Sequence, residues 1–422
     1  MIPQFIKKRF QGYEILDFKQ WITEGRVEII LVPKDSRVMQ CFRCGSELGT
    51  ARSKHLMQLE DLPIMNLKSI IKVWRYKGHC SKCNKQRSEV IDFVCPESPH
   101  LTSEYGWWLG KLCEIAPISN AAHISDKDDV TLWRHDFARM KRMLQFYKIP
   151  PPKYISVDEV YARATKKPHE TRNDLFFTVV SDLQTRKVIY VSFGRSKEAL
   201  DEFYRALGPE RCKEIKAVAM DQFDGYRTST NEYCPKVTVV LDKFHLLQNF
   251  TEAVNEVRKN IHTTFYKNND MKRLTRGKNR FIFTKKASKR SKSEQALIEE
   301  LIEINEPLAQ LEMIKEFMLE MFNEADEHSA WNVFQTLGSW IMRFKELFKP
   351  LVRWHTLLEH DWHLVKNYFK FSITTSLSEG INNVIKMLKR RAFGYRNMHY
   401  FRLKIMQKCG YLNSKHINPD FH

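Results

Sequence analysis

The chain has 422 residues, 43% of them hydrophobic and 28% charged, and its 69 Lys and Arg against 50 Asp and Glu give a net charge of +19. That length predicts two or three domains, and the composition excludes a disordered, fibrous or collagenous chain. No apolar run approaches the ~20 residues of a membrane span, and so large a positive excess points to a polyanionic partner, nucleic acid first among them.

The N-terminal MIPQFIKKRF is charged and lacks an apolar stretch, so no secretory signal is expected. Residues 1–40 predict short strands, as in RVEIILVPKD. Two cysteine pairs follow, Cys41-Phe-Arg-Cys44 and Cys80-Ser-Lys-Cys83, with 35 residues between them. Each C-x-x-C turn sets two thiolates on one side of a metal, and two turns complete a tetrahedral four-sulfur site for one structural Zn2+. Metal binding would supply folding energy that so small a segment lacks in its own core. Gly45 suits the tight knuckle, His79 adjoins the second pair as a spare ligand, and Lys82, Lys85 and Arg87 surround that pair. The remaining cysteines (Cys95, Cys113, Cys212, Cys234, Cys409) read as small core residues, since disulfides are rare in a reducing cytosol. These features define a first domain over 1–98.

Residues 101–148 predict helices with a polar break at Ser125–Asp129. Two readings stand for Ile118–Met143. One is a helix-turn-helix whose second helix starts near Val130 and brings Trp133, Arg134, Arg139, Lys141 and Arg142 to a major groove. The other is a plain helical hairpin linking domains, because the turn SDKDD is acidic and lacks glycine. Pro150, Pro151 and Pro152 close this helical segment, 99–149.

Beyond the prolines, strands and helices alternate. YISVDEVYA is a strand, DLFFTVVSDLQTRKVIYVSFG two strands, KEALDEFYRAL an amphipathic helix, and IKAVAMDQF and VTVVLDKF two more strands. The expected fold class is α/β, a sheet flanked by helices. From 244 to 370 helix dominates. Within it, Met271–Ser293 has ten Lys/Arg and no acid and reads as a flexible or DNA-facing loop. Ser293–His328 has eleven acids and one lysine and reads as a solvated helix face, or as a cover for a basic patch. From Gly380 onward nine Lys/Arg face a single acid, Asp420.

Three acids stand where phosphodiester chemistry wants them. Asp158 lies within the first strand of the α/β region, Asp221 where KAVAM leaves the sheet, and Glu379 at the start of a helix in SLSEGINNVIKMLKRR. A carboxylate on an apolar strand is costly to bury unless it is paired or holds a metal. Converging carboxylates can hold two divalent cations ~3.5–4 Å apart, and Mg2+ suits such hard oxygen ligands. Each acid taken singly also reads as a turn or helix cap, as do Asp182 and Asp224.

Five segments in order, CFRCGS with CSKC, ISVDE, AVAMDQFDGYR, PKVTVVLDKFHLLQNFTEAVNEVRK and SEGINNVIKMLKRRAFGYRNMHYFRLKI, resemble bacterial insertion-sequence transposases of the ISL-three group over nearly the whole length. The resemblance implies a zinc ribbon, then an RNase H-like catalytic core interrupted by an all-helical insertion. It implies the core's first part over 150–262, the insertion over 263–370, and a closing segment over 371–422 with the third acid and a basic tail. The spacing agrees: 63 positions separate Asp158 from Asp221, and 158 separate Asp221 from Glu379. By position, Asp158, Asp221 and Glu379 are the catalytic acids that hold two Mg2+; Glu159 rivals Asp158 for first place, and the family's strand motif reads Asp-Glu with Asp leading.

Asp242-Lys-Phe-His245 matches a family D-x-F-H motif, and His245 either contacts DNA near the cleaved end or packs within a helix. Lys386, Lys389, Arg390, Arg391 and Arg396 form a cationic track for the DNA backbone, which Arg402 extends, or a solvated basic surface. The implied function is to bind element ends, cut them by metal-dependent hydrolysis and join the freed 3′-hydroxyl to target DNA. The implied partner is DNA and not a membrane, the setting the bacterial cytoplasm and its nucleoid, and the acting form a homo-oligomer. Two features depart from the family: the helix-turn-helix is poorly formed and the residues after Ile405 match little. Competing readings are a zinc-ribbon DNA-binding regulator without catalysis, a nuclease that cuts without joining and, more remotely, a tyrosine recombinase.

Overall fold

The computed structural model describes residues 9–163, 168–264, 281–303, 305–324, 326–371 and 376–417, without the side chains of 376–379. The chain is mixed α/β and divides into two compact units, Met1–Lys148 with Arg390–His422, and Ile149–Lys389.

The first unit is built on strands β1 (Tyr13–Trp21), β2 (Arg26–Pro33), β3 (Ala51–Ile64), β4 (Leu67–Cys80) and β5 (Lys85–Ser88), in the order β1-β2-β4-β3 with β5 on β4. Alternation decides which face is buried. Ile29 and Leu31 of β2 and Ile71 and Val73 of β4 point to one side, where Phe10, Tyr13, Leu59 and Phe93 close the core. Helices α1 (Ser103–Ile115), α2 (Ile118–Ser125) and α3 (Asp129–Phe146) follow. Thr102 caps α1 by accepting from the Tyr105 N–H, and Asp128 caps α3 through Thr131. The basic C-terminal segment folds with this unit: Tyr400 donates to Asp136 of α3 at 2.7 Å, and Ser414 binds Glu114 of α1.

The second unit holds β6 (Tyr154–Tyr161), β7 (Phe176–Asp182), β8 (Lys187–Phe193), helix α4 (Lys197–Leu207), β9 (Ala217–Met220), α5 (Asp224–Tyr233), β10 (Thr238–Leu241) and α6 (Lys243–Thr264). The sheet order is β10-β9-β6-β7-β8. β6 pairs antiparallel with β7, and β7 with β8, whereas β9 is parallel to both β6 and β10. Strands β6, β8, β9 and β10 therefore all end on one edge. All four residues of β9 are buried, which accounts for an uninterrupted apolar run rather than an alternating one.

Helices α7 (Lys292–Glu303), α8 (Glu306–Met321), α9 (Glu327–Arg343), α10 (Lys349–His360) and α11 (Ser376–Arg391) complete this unit, with a last helix, α12 (Met398–Cys409), in the first. Trp354 packs α10 onto Phe250 of α6, and Trp340 packs α9 onto Phe317 of α8. Residues 271–280 of the expected DNA-facing basic loop lie outside the described residues. In the described remainder Lys289 and Lys292 are exposed, while other cations pair with acids. Arg290, fully buried, forks onto Glu312, Lys286 pairs with Glu320 and Lys285 with Glu294, so the acidic helices take up these cations.

Candidate functional site

Register brings the acids of the second unit to one level. Val157 of β6 pairs with Met220 of β9, and Met220 with Leu241 of β10. The next residue on each strand is an aspartate: Asp158, Asp221 and Asp242. The carboxyl edge of parallel strands is where open α/β sheets bind ligands. Asp158 is 9% exposed and Asp242 5%, so both carboxylates are nearly withdrawn from water. Each acid accepts a nearby backbone N–H, from Glu159 at 2.8 Å, Gln222 at 2.6 Å and Phe244 at 2.9 Å respectively. Asp242 thereby also caps α6.

Two cations stand among these acids. Arg195, just past the end of β8, reaches Glu159 at 3.0 Å and Asp221 at 3.5 Å, and lies 4.9 Å from the Phe223 ring centre. His245, one turn into α6, holds Nε2 3.8 Å from Asp158 Oδ1 and 3.6 Å from Asp242 Oδ2. The Asp158 carboxylate, with the field of Asp221 and Asp242, outweighs burial and lifts the imidazole from 6.5 to about 9. Glu159 is pushed the other way from its ionised form. Burial raises it to about 7 despite Arg195, and the charges of Asp158 and Asp221 add to the rise. The Arg195–Glu159 contact is real by geometry; desolvation is simply the larger effect.

Helix α11 reaches the same point. Its Asn382 amide donates to Asp158 Oδ2 at 2.7 Å. Glu379 is on this helix, three residues earlier, and its side chain lies outside the described residues. Sequence reasoning missed Arg195 and Asn382 as members of the cluster; the Asn-Asn after SEGI was the one local signal for the second.

The sulfur cluster is in the first unit. Cys41, Cys44, Cys80 and Cys83 have all four Sγ atoms within 4.8 Å of one another, with Cys44–Cys80 and Cys44–Cys83 at 3.5 Å and Cys41–Cys83 at 4.0 Å. A tetrahedron with Zn–S bonds of ~2.3 Å has edges of about 3.8 Å, so the donor set fits one Zn2+ and leaves no open position. The knuckles are alike. Gly45 follows the first at φ 71° and Asn84 the second at φ 49°, the left-handed turn these two residue types tolerate best. His79 is exposed on β4, beside the buried Cys80, and is not in the cluster.

Of the basic residues singled out from sequence, Lys386, Arg390, Arg391 and Arg396 are exposed, as are Lys82 and Lys85 by the sulfur cluster. Lys389 is half-buried over the Tyr161 ring at 5.5 Å, and burial lowers its pKa. Helices α2 and α3 are joined by a short turn in which Asp126, at φ 51°, takes the left-handed place usual for glycine. The basic face expected of α3 is smaller than supposed. Arg139 is 2% exposed and bound to Glu114 at 2.6 Å, and Arg142 pairs with Glu97 at 3.1 Å. Arg134 and Lys141 stay exposed. Asp182 binds its own turn at Gln184 and Thr185, whereas Asp224 pairs with Arg227 and does not cap α5.

A family model described as "Transposase" matches residues 155–405, the span that carries the whole acid cluster. The chain belongs to the transposases of the ISL-three group. It is 25% identical over 402 residues, 94% of its length and 95% of the relative's, to the transposase for insertion sequence element IS1001 of Bordetella parapertussis. It is 23% identical over 253 residues to the transposase for insertion sequence element IS1557 of Mycobacterium tuberculosis, spanning 54% of this chain and 55% of that one. No described helix is long and apolar enough to cross a membrane.

Proposed function

We propose that this chain is the transposase of an insertion sequence, and that it cuts the element's ends and joins their 3′-hydroxyls to target DNA. The observation that carries the reading is the shared register of Asp158 and Asp221 at the ends of neighbouring parallel strands. The contact from Asn382 to Asp158 supports Glu379, one helical turn earlier, as the third acid. The sheet order, with two antiparallel steps on one side of β6 and two parallel neighbours on the other, is the order expected of an RNase H-like core.

In this reading Asp158, Asp221 and Glu379 hold two Mg2+; the donors are carboxylate oxygens, and the buried Glu159 Oε2 has no hydrogen-bond partner among the described residues. When bound, the metal pair supplies Lewis-acid stabilisation of the charge that develops on the phosphodiester. Arg195 fixes Asp221 and Glu159 beside each other. Asn382 orients Asp158, and His245 balances Asp158 and Asp242. Lys386, Lys389, Arg390, Arg391 and Arg396 neutralise phosphates, so affinity falls steeply with salt. One Zn2+ in the four-cysteine site stiffens the N-terminal ribbon for end recognition, and the chain acts on bacterial cytoplasmic DNA as a homo-oligomer.

The test is cleavage and strand transfer on a labelled duplex carrying the element's end, in Mg2+, with Asp158→Asn, Asp221→Asn and Glu379→Gln in parallel. The reading requires that all three lose both steps while still binding the duplex. Nicking without joining by the parent chain would leave a nuclease, and binding with no nicking a regulator.

A further inference from the structure

Phe393 is 99% exposed, the most open large apolar side chain among the described residues. It stands at the tip of the loop between α11 and α12. Its N–H donates to the Arg390 carbonyl at 3.1 Å, its φ is 50°, and Gly394 follows at φ 96°. Two successive left-handed residues reverse the chain there. Glycine does this freely; a phenylalanine in that region of φ is uncommon and marks a position held for a reason.

The loop is anchored rather than loose at its base. Tyr395 stacks on Phe401 at 4.4 Å with rings 10° from parallel, and Asn397 caps α12 by accepting from the Tyr400 N–H at 2.9 Å. One aromatic of the loop, Tyr395, is therefore docked, and the one two residues before it is held out in water. Phe393 is not a core ring short of a pocket.

The chain on both sides of Phe393 is cationic. Arg390, Arg391 and Arg396 are exposed, and none pairs with an acid among the described residues. No acid occurs from Gly380 through Pro419. An exposed apolar ring within a few residues of three exposed arginines suits a nucleobase and its adjoining phosphates. An apolar pocket on a protein would be matched without need of the three arginines.

We infer that Phe393 is a base-stacking platform: its ring stacks on an unpaired base of DNA while Arg390, Arg391 and Arg396 hold the adjoining phosphates. The inference rests on the DNA-binding part of the function proposed above and adds single-stranded DNA as the ligand at this loop.

The full-length chain is titrated by fluorescence anisotropy into a labelled twelve-nucleotide oligothymidylate and into a blunt duplex, at several salt concentrations. Phe393→Ala is expected to weaken oligothymidylate binding about ten-fold, without changing the salt slope, since no phosphate contact is lost. Phe393→Trp is expected to bind like the parent, and Phe393→Leu like the alanine variant. Arg390→Gln with Arg391→Gln is expected to flatten the slope by about 1.4, roughly 0.7 for each lost charge on a single strand. Because the ring touches no core, all these variants should melt with the parent.

Alanine within two-fold of the parent overturns the inference, as does leucine restoring binding as well as tryptophan. A parent that binds the duplex but not the oligothymidylate overturns it too. So does loss of self-association by Phe393→Ala in sedimentation, which would make the tip a contact between copies of the chain. A parent that binds neither DNA sinks the proposed function itself, a result distinct from each of these.

Discussion

Asp221→Asn separates chemistry from folding because the structure makes its structural cost small. The asparagine Oδ1 can still accept the Gln222 N–H, which Asp221 now does at 2.6 Å. The ion pair that is lost spans 3.5 Å between side chains 18% and 28% exposed, and Arg195 keeps Glu159 at 3.0 Å. A partly exposed pair of that kind is worth about 0–1 kcal/mol, and 1 kcal/mol moves the melting temperature of a unit this size by roughly 2–4 °C. The chemical cost is of another order. If the carboxylate helps hold the metal pair, several kcal/mol of charge stabilisation goes with it, and about 4 kcal/mol is roughly a thousandfold in rate. DNA affinity and its salt slope should be unchanged, because no phosphate contact involves Asp221. Single-turnover cleavage of an end-labelled duplex, a thermal melt and a salt titration on the same preparation measure all three. Full-rate cleavage removes Asp221 from the mechanism. Inactivity accompanied by a melt lowered by ten degrees or more would mean that the chain had unfolded and that the register argument carries nothing.

Four further outcomes follow from the same geometry. Cys41→Ser should take zinc from one ion per chain to none by elemental analysis and loosen the ribbon that the metal folds; unchanged zinc would dismiss the four-sulfur site. Asn382→Ala removes a 2.7 Å bond to the nearly buried Asp158 and should cost about 1.5–3 kcal/mol in denaturant unfolding, while Asn382→Asp, which sets a second anion there, should cost more. In the metal-free protein His245 should titrate near 9 rather than 6.5 by NMR. Its pKa is raised on folding, so its contribution to stability is full below the unfolded value and is lost as pH rises through about 9; Asp158→Asn should bring the midpoint back down, and a midpoint that stays would refute the assigned pair. Arg139→Ala, which takes a buried guanidinium from Glu114 but leaves Glu114 with Ser414 and Asp136 with Tyr400 and Lys404, should destabilise by roughly 1.5–3 kcal/mol, whereas Arg134→Ala should stay within about 0.5 kcal/mol; equal effects would mean that α3 is turned otherwise.

Local features were readable wherever a short pattern determines them. The runs AVAM and TVVL are four-residue strands whose side chains are apolar apart from the half-buried Thr238, and the aspartate after each marks where the chain leaves the sheet. Helix α11 runs from Ser376 to Arg391, the segment SLSEGINNVIKMLKRR expected to be helical. What escaped is what depends on sheet order. Arg195 sits in an ordinary Gly-Arg-Ser turn, and it meets Glu159 and Asp221 only because β8 ends on the same edge as β6 and β9. Asn382 reads as one more polar residue on a helix. The burial of Arg139, which the groove-facing reading of α3 does not allow, is legible in the sequence. Leu132, Met140 and Met143 recur at helical spacing with His135, Asp136 and Arg139 on the same buried stripe, so periodicity assigns that arginine to the interior.

Charge balance favours the proposed reading of the second unit's acid cluster as a cation site over a closed salt-bridge knot. Asp158, Glu159, Asp221 and Asp242 meet Arg195 and a His245 that is protonated near neutrality. With Glu159 half-ionised at about 7, the anions still exceed the cations. A knot selected for stability would pair each buried group, since an uncompensated charge is costly to bury. Here Glu159 Oε2 and Arg195 Nε have no hydrogen-bond partner among the described residues. Three of the acids share one register at the carboxyl edge, so their repulsion cannot be relaxed without breaking the sheet. The fold thus holds an excess of negative charge that added positive charge relieves, and the sharpest expression of this is stabilisation by Mg2+ itself. Denaturant unfolding of the parent chain should become harder with added Mg2+, by mass action on a site present only in the folded state, and that gain should shrink in Asp158→Asn and in Asp221→Asn. Equal gains in all three chains would return the cluster to the status of an ordinary ion-pair network.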